Sequence, residues 1–106
     1  EEVIGELDAI KSKDKKFLEA KYFLKGLSYS KLQEYTSSIL EFKKSIAAGN
    51  KSGEVFYEFG QVLYAQNELT LARKSFIKAD NAKFKSAQSL YYIGHISQLL
   101  DEHKNS

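Results

Sequence analysis

The sequence predicts an all-α protein built from helix pairs that repeat along the chain. Gly26, Gly60 and Gly94 stand 34 residues apart, each in a helical stretch rich in aromatic residues. A fixed interval of this size is typical of a repeat protein. The chain has no proline and no strand-like alternation of apolar and polar residues. Because glycine inside a helix costs about 1 kcal/mol relative to alanine, each of the three is expected to allow two helices to approach closely.

The repeats divide a single domain, residues 1–106, into about six helices. Two full units, 19–52 and 53–86, each contain a first helix, a short turn and a second helix. Residues 87–102 supply the first helix of a third unit, which caps the array half-way through a repeat. Residues 1–11 have an apolar helical face. They are expected to form the second helix of a preceding unit, or else a separate cap, because stacked arrays need both ends covered.

Polar residues ahead of the apolar stretches mark the predicted helix starts. Ser52 and Ser86 are candidate N-caps of first helices, and Thr36 and Thr70 are candidate N-caps of second helices. The lysines within residues 11–16 are expected to form a solvated connection between the first two helices rather than a binding patch.

Composition argues against several classes of partner. The 16 basic and 14 acidic residues nearly cancel, and Arg73 is the sole arginine. Lysine lacks the bidentate fork of arginine, so nucleic acid is not an expected partner. The longest apolar runs fall short of the ~20 residues of a membrane span, so no membrane insertion is expected. The absence of cysteine excludes disulfides and thiol catalysis and leaves the compartment open, with a cytoplasmic location slightly favoured.

Catalytic and metal-binding signals are weak. His95 and His103 are the only histidines, and no histidine pairs with a carboxylate at i, i+4 on a helix, so neither a metal nor a cofactor is predicted. Glu54 and Glu58 stand at i, i+4, where exposed carboxylates repel mildly. No Gly-x-Ser-x-Gly elbow and no glycine-rich phosphate loop occurs. The chain is therefore not predicted to be an enzyme, and Glu54, Glu58 and His95 are the candidates if it is one.

The second unit carries a fixed pattern of large and small residues. Its fourth, seventh, eighth, eleventh, twentieth, twenty-fourth and twenty-seventh positions hold Phe56, Phe59, Gly60, Leu63, Ala72, Phe76 and Ala79. This pattern resembles the tetratricopeptide repeat, and the resemblance extends over about residues 19–100. It implies antiparallel helix pairs stacked into a right-handed superhelical solenoid.

The other two units depart from that pattern. The first keeps its glycine and aromatic residues but has Lys25, Ser38 and Ser45 where apolar residues or alanine are usual. The third keeps its glycine and large apolar residues but has Ser97 where tyrosine is usual. The second unit therefore carries most of the resemblance.

The resemblance implies a protein-interaction module, an adaptor or scaffold, in which the first helices line a concave groove. The contact positions of the family, carried onto this chain, give these partner-binding candidates: Phe23, Leu27, Tyr57, Glu58, Gln61, Tyr64, Gln88, Tyr91, Tyr92 and His95. Such a groove is aromatic and polar and suits an apolar or tyrosine-compatible segment of a partner protein. A co-chaperone that clamps an acidic tail is not expected, because none of the clamp positions is basic.

Two alternatives stay open. A helical aromatic stripe is more often core than ligand site, so Tyr57, Tyr64, Tyr91 and Tyr92 could pack internally, and the N-terminal helix could cover the groove of the first unit. The second functional hypothesis is a structural spacer or oligomerisation segment of a longer array, which self-associates through its open end.

Overall fold

The computed structural model describes residues 14–105, with side chains up to residue 102, and this part of the chain is helical without strands. It contains five helices: α1 Lys15–Lys31, α2 Tyr35–Ala47, α3 Gly53–Ala65, α4 Leu69–Asn81 and α5 Ser86–Asn105. Each helix packs against its neighbours in sequence. The all-α prediction is thus confirmed for the described residues, and the predicted helix at residues 1–11 lies outside them.

The predicted N-caps are confirmed at one place and wrong at three. The Ser52 side chain caps α3 by accepting a hydrogen bond from the backbone N–H of Val55 at 3.2 Å. Ser86 is instead the first residue of α5, and Thr36 and Thr70 are the second residues of α2 and α4. α2 and α4 begin earlier than predicted, because a residue with a left-handed backbone, φ near +60°, completes the turn before each of them.

The lysine-rich segment does not all lie in a connection. Asp14 caps α1, and its Oδ1 accepts a hydrogen bond from the backbone N–H of Phe17 at 3.2 Å. Because this cap satisfies a free N–H of the first turn, helix begins at Lys15 and takes in Lys16 as well. The prediction of a solvated connection is therefore wrong for these two lysines, and Lys11 and Lys13 lie outside the described residues.

Two buried serines join α1 to α2. The Ser38 hydroxyl donates to the backbone carbonyl of Gly26 at 2.7 Å, and the Ser45 hydroxyl donates to that of Glu19 at 2.8 Å. The contacts descend α1 as they ascend α2, so the two helices are antiparallel. Both serines are fully buried, and their hydroxyls need these acceptors. The departures from alanine at these positions are thus compensated by hydrogen bonds.

Lys25 is likewise accommodated by a charged partner. Its Nζ lies 3.8 Å from Oε1 of Glu41, and Nζ of Lys44 lies 3.7 Å from Oε2 of the same carboxylate. Glu41 is buried, whereas both lysines reach solvent. Because a buried carboxylate requires cationic partners, the lysine of the first unit neutralises a charge that the second unit lacks.

The repeated glycines allow close packing at two of their three positions. A Cβ on Gly26 would lie 2.7 Å from two ring atoms of Phe42, and a Cβ on Gly60 would lie 3.0 Å from three ring atoms of Phe76. The expectation of close approach is confirmed there. It is wrong at Gly94, where no atom of residues 14–102 outside the helix's own backbone lies within 4 Å of the added Cβ.

The two covering phenylalanines each centre one apolar cluster. Phe42 is buried with Val55 and Val62 where α1, α2 and α3 meet. Phe76 is buried in a larger cluster that extends across α3, α4 and α5 and includes Ile96. The second cluster supports the surface on which most of the predicted site residues lie.

Candidate functional site

Four of the predicted partner-binding residues form one group, here called the α3/α5 aromatic cluster: Tyr64, Tyr91, Tyr92 and His95. Nε2 of His95 lies 3.0 Å from the Tyr64 hydroxyl oxygen, which is a hydrogen-bond distance. The rings of Tyr64 and Tyr92 meet edge to face, with centroids 5.5 Å apart. The rings of Tyr91 and His95 are nearly parallel, with centroids 5.9 Å apart. The sequence thus brings these side chains together from two helices.

Helix geometry and core packing fix the cluster. Tyr91 and His95 stand at i, i+4 on α5 and therefore share one face of that helix. Tyr92 is stacked on Phe76 of α4, with centroids 4.5 Å apart and planes 5° from parallel. Phe76 is fully buried, so it gives Tyr92 a rigid support.

The members of the cluster differ in exposure. The Tyr91 side chain is 67% exposed, whereas Tyr64, Tyr92 and His95 are half-buried. Burial raises the pKa of Tyr92 above its ordinary value, and the neighbouring tyrosines raise it further. Tyr92 therefore keeps its proton at neutral pH. The cluster presents one open ring beside supported rings with polar edges.

Tyr57 was predicted to line the groove, but the structure places it in the core. It is 5% exposed, and its ring lies 5.6 Å from that of Phe76 and 5.8 Å from that of Phe84. Nζ of Lys85 lies 5.1 Å from the ring centroid. Burial raises the pKa of Tyr57, an effect strengthened by Glu58. The core alternative for Tyr57 is therefore the correct one.

Phe84 is a residue that the sequence interpretation of the site missed. It follows α4 in a short connection, and Tyr57 is covered on this side by its ring. The available signal was an aromatic residue in an otherwise polar connection. Such a ring needs an apolar surface to cover, and α3, the first helix of the second unit, supplies it.

Polar side chains on α3 and α5 complete the predicted set. Glu58 is half-buried, and burial raises its pKa, with Lys85 opposing the shift and Glu54 adding to it. Gln61 stands one turn from Tyr57 on α3, and its amide lowers the pKa of Tyr57 against the effect of burial. Gln88 is exposed on α5. These groups offer one carboxylate and two amides to a ligand.

Phe23 and Leu27 belong to a different part of the molecule. Both lie on α1 and are partly buried against the Phe42 cluster, with the Phe23 and Phe42 rings 5.9 Å apart. The prediction that all ten residues share one groove stays a prediction. The described contacts join the residues of α3 and α5 alone.

The cluster has the chemistry of a binding surface. Aromatic faces can cover apolar groups, while phenol, imidazole and amide groups can exchange hydrogen bonds with a peptide. Among the side chains that the structure describes, residues 14–102, no three of histidine, cysteine, aspartate or glutamate stand close enough to hold a metal ion. None of the helices within residues 14–105 has both the length and the apolar character to cross a membrane.

Comparison with protein-family models and with curated proteins finds no match to this chain. Membership of the tetratricopeptide family is therefore not shown. The class of protein that the described fold defines is an all-α protein of packed neighbouring helices with an aromatic cluster on α3 and α5.

Proposed function

We propose that this chain is a protein-interaction module that holds a segment of a partner protein against the α3/α5 aromatic cluster. Tyr91 carries the proposal because it combines high exposure with contact to a supported ring, that of Tyr92. An aromatic side chain buries roughly 200 Å² when covered. Covering the exposed two-thirds of Tyr91 would contribute about 3 kcal/mol, the size of an interface hot spot.

The wider architecture in this proposal is a tetratricopeptide-like array. The contacts of Phe42 with Gly26 and of Phe76 with Gly60 recur one repeat apart, which supports equivalent packing in the first two units. In a right-handed solenoid of such units, α1, α3 and α5 would line the concave side. The partner segment would then lie across these helices, as the resemblance implies.

The expected ligand is an apolar or tyrosine-compatible peptide or helical segment with hydrogen-bonding groups. Tyr64, His95 and Gln88 supply hydroxyl, imidazole and amide partners for it. Because Glu58 becomes negative when ionised, a carboxylate placed beside it is disfavoured. The ligand is therefore not expected to be strongly acidic at this end of the surface.

Affinity capture from an extract of the source cells tests this function. The wild-type chain is compared with Tyr91→Ala/His95→Ala and with a control, Leu40→Ala, which removes an exposed apolar side chain from α2, outside the proposed surface. Circular dichroism establishes that each variant is folded. A protein retained by wild type and control but lost by the double variant supports the proposal. Equal capture by all three chains would refute it.

A second function is favoured by the open face of α5. Among the described residues none lies over the Cα of Gly94, although its equivalents Gly26 and Gly60 are each covered by a phenylalanine ring. Leu90, one turn away, is 54% exposed. A spacer or oligomerisation segment would cover this face with a helix of a further repeat or of a second copy.

The self-association version predicts a mass that depends on concentration. Light scattering over about a hundredfold range of concentration measures this, with Leu90→Lys as the variant that should keep the chain monomeric. A wild-type chain that is monomeric throughout the range would eliminate association through this face. The adaptor function does not depend on that result.

A further inference from the structure

A second surface, separate from the aromatic cluster, lies where α2, α3 and α4 meet. It is a groove with a volume of about 410 Å³, here called the lysine groove. Phe56, Phe59 and Leu63 of α3 line it together with Ile46 of α2 and Leu71 of α4. The volume falls within the range of about 300–1,000 Å³ typical of ligand pockets. The groove therefore offers room for two or three large apolar side chains.

Lysines stand on both sides of this apolar surface. Lys43 lies on α2, and Lys74 and Lys78 lie one turn apart on α4. Nζ of Lys78 sits 5.1 Å from the centroid of the Phe56 ring, which holds that charge at the groove. Among the described residues no aspartate or glutamate lines the groove, and none of the three ammonium groups has a carboxylate partner.

One residue of the lining is itself a large exposed apolar group. Leu71 is 45% exposed, although neighbouring Ala72 is fully buried. Leu71, Lys74, Ser75 and Lys78 follow one another at i, i+3, i+4 and i+7, so they form a single stripe along α4. This spacing was the sequence signal for the groove. It was missed because α4 is the second helix of its unit, whereas the resemblance places the binding residues on the first helices.

We propose that the lysine groove binds an acidic amphipathic helix of a partner protein. Positive charge on both flanks of an apolar stripe is complementary to a helix whose apolar side chains recur at i, i+3 and i+4 and whose glutamates or aspartates flank them. A lipid or fatty acid places a charge at one end, whereas lysines on two helices require negative groups on two sides. This site uses different residues from the aromatic cluster, so either one can fail without the other.

A labelled synthetic peptide provides the probe. It is an amphipathic helix of about 18 residues with leucine and phenylalanine on one face and glutamate along both flanks. Fluorescence anisotropy measures its affinity for the whole chain. Binding is expected, and it should weaken as salt is raised, because exposed ion pairs are screened.

Charge reversal locates the binding. Lys74→Glu/Lys78→Glu should weaken peptide binding about tenfold, since two attractions become repulsions. Lys15→Glu/Lys16→Glu changes the net charge equally but lies outside the groove, and should alter affinity less than about twofold. Leu71→Ser is a second variant that removes apolar contact without changing charge, and it should also weaken binding. Circular dichroism checks each fold.

Four results would overturn the proposal. The first is no detectable binding of the peptide, and the second is equal loss of affinity in both charge-reversed variants. The third is displacement of the peptide by dodecanoate at lower concentration than by unlabelled peptide, which would assign the groove to a single-headed amphiphile. The fourth is tighter binding of a peptide with residues 1–11 of this chain, which would assign the groove to that segment of the same chain or of a second copy.

Discussion

Replacing the repeated glycines by alanine tests whether the 34-residue period reflects close helix packing, through the change in the free energy of unfolding. In an unobstructed helix, alanine is more stable than glycine by about 1 kcal/mol. In the part of the chain that the structure describes, Gly94 is unobstructed, with no neighbouring side chain within 4 Å of an added Cβ. At Gly26 the same Cβ would lie 2.7 Å from Cδ1 and Cε1 of Phe42. The same substitution is therefore expected to have opposite signs at the two positions.

The magnitude at Gly26 follows from how far Phe42 can move. Non-bonded carbon atoms prefer about 3.5–4.0 Å, so the ring must retreat by about 1 Å. Phe42 is fully buried, and the rings of Phe23 and Phe59 lie 5.9 and 6.2 Å from it. Overpacking of this kind costs about 1–3 kcal/mol. After the gain of about 1 kcal/mol in helix propensity, Gly26→Ala should lower the free energy of unfolding by up to about 2 kcal/mol.

Urea unfolding followed by circular dichroism measures both variants against the wild-type chain. Gly94→Ala should raise the free energy of unfolding by about 0.5–1 kcal/mol. A double variant isolates the steric contact: with Phe42→Leu in place, Gly26→Ala should no longer destabilise, because the ring atoms that meet the new methyl group are gone. If Gly26→Ala were as stable as Gly94→Ala, the close approach would not explain the glycine and the reasoning would be wrong.

Three further predictions concern a cap and two titratable groups. Ser52→Ala should lower the free energy of unfolding by about 1 kcal/mol in urea, and Ser86→Ala, which removes no cap, should leave it nearly unchanged; equal losses would contradict the cap. Because burial raises the pKa of Glu58, ionisation of this carboxyl group opposes folding as pH rises. Glu58→Gln should therefore raise Tm at neutral pH and not near pH 3. The same gain in Tm at both pH values would contradict this. Burial also raises the pKa of Tyr92, so stability should fall as pH rises above about 10 and fall less steeply in Tyr92→Phe, as measured by Tm across that range; an unchanged slope would count against it.

The 34-residue period predicted the close packing of helices in the first two units, because each glycine contact joins two residues of the same unit. Gly26 meets Phe42 and Gly60 meets Phe76, and both pairs are separated by 16 residues. A pair of this kind can be inferred from two aligned units. Gly94 offers no such pair, because no phenylalanine stands 16 residues after it in this sequence. Sequence identity at the glycine alone carries no information about what packs against it.

The site was predictable where helix spacing alone places the residues. Tyr91 and His95 share a face of α5 because they stand four residues apart, and they do lie together. The burial of Tyr57 depends instead on the path of the connection that carries Phe84. Its flanking residues, Lys83 and Lys85, both have left-handed backbones, with φ of 61° and 46°. Because neither left-handed position holds a glycine or an asparagine, the sequence did not indicate the direction of this turn.

The Phe76 ring makes two contacts, which together link the stability of the fold to the proposed binding surface. The tip of the ring lies over Gly60, and its face is stacked on Tyr92. The contact that packs the second repeat therefore also holds the support for Tyr91 in place before any ligand binds. Under the proposed function, a ligand would have to order one exposed ring rather than a whole cluster, which would lower the entropic cost of binding. It follows that Phe76→Leu should weaken both folding and binding, whereas Tyr91→Ala should weaken binding and leave the free energy of unfolding nearly unchanged.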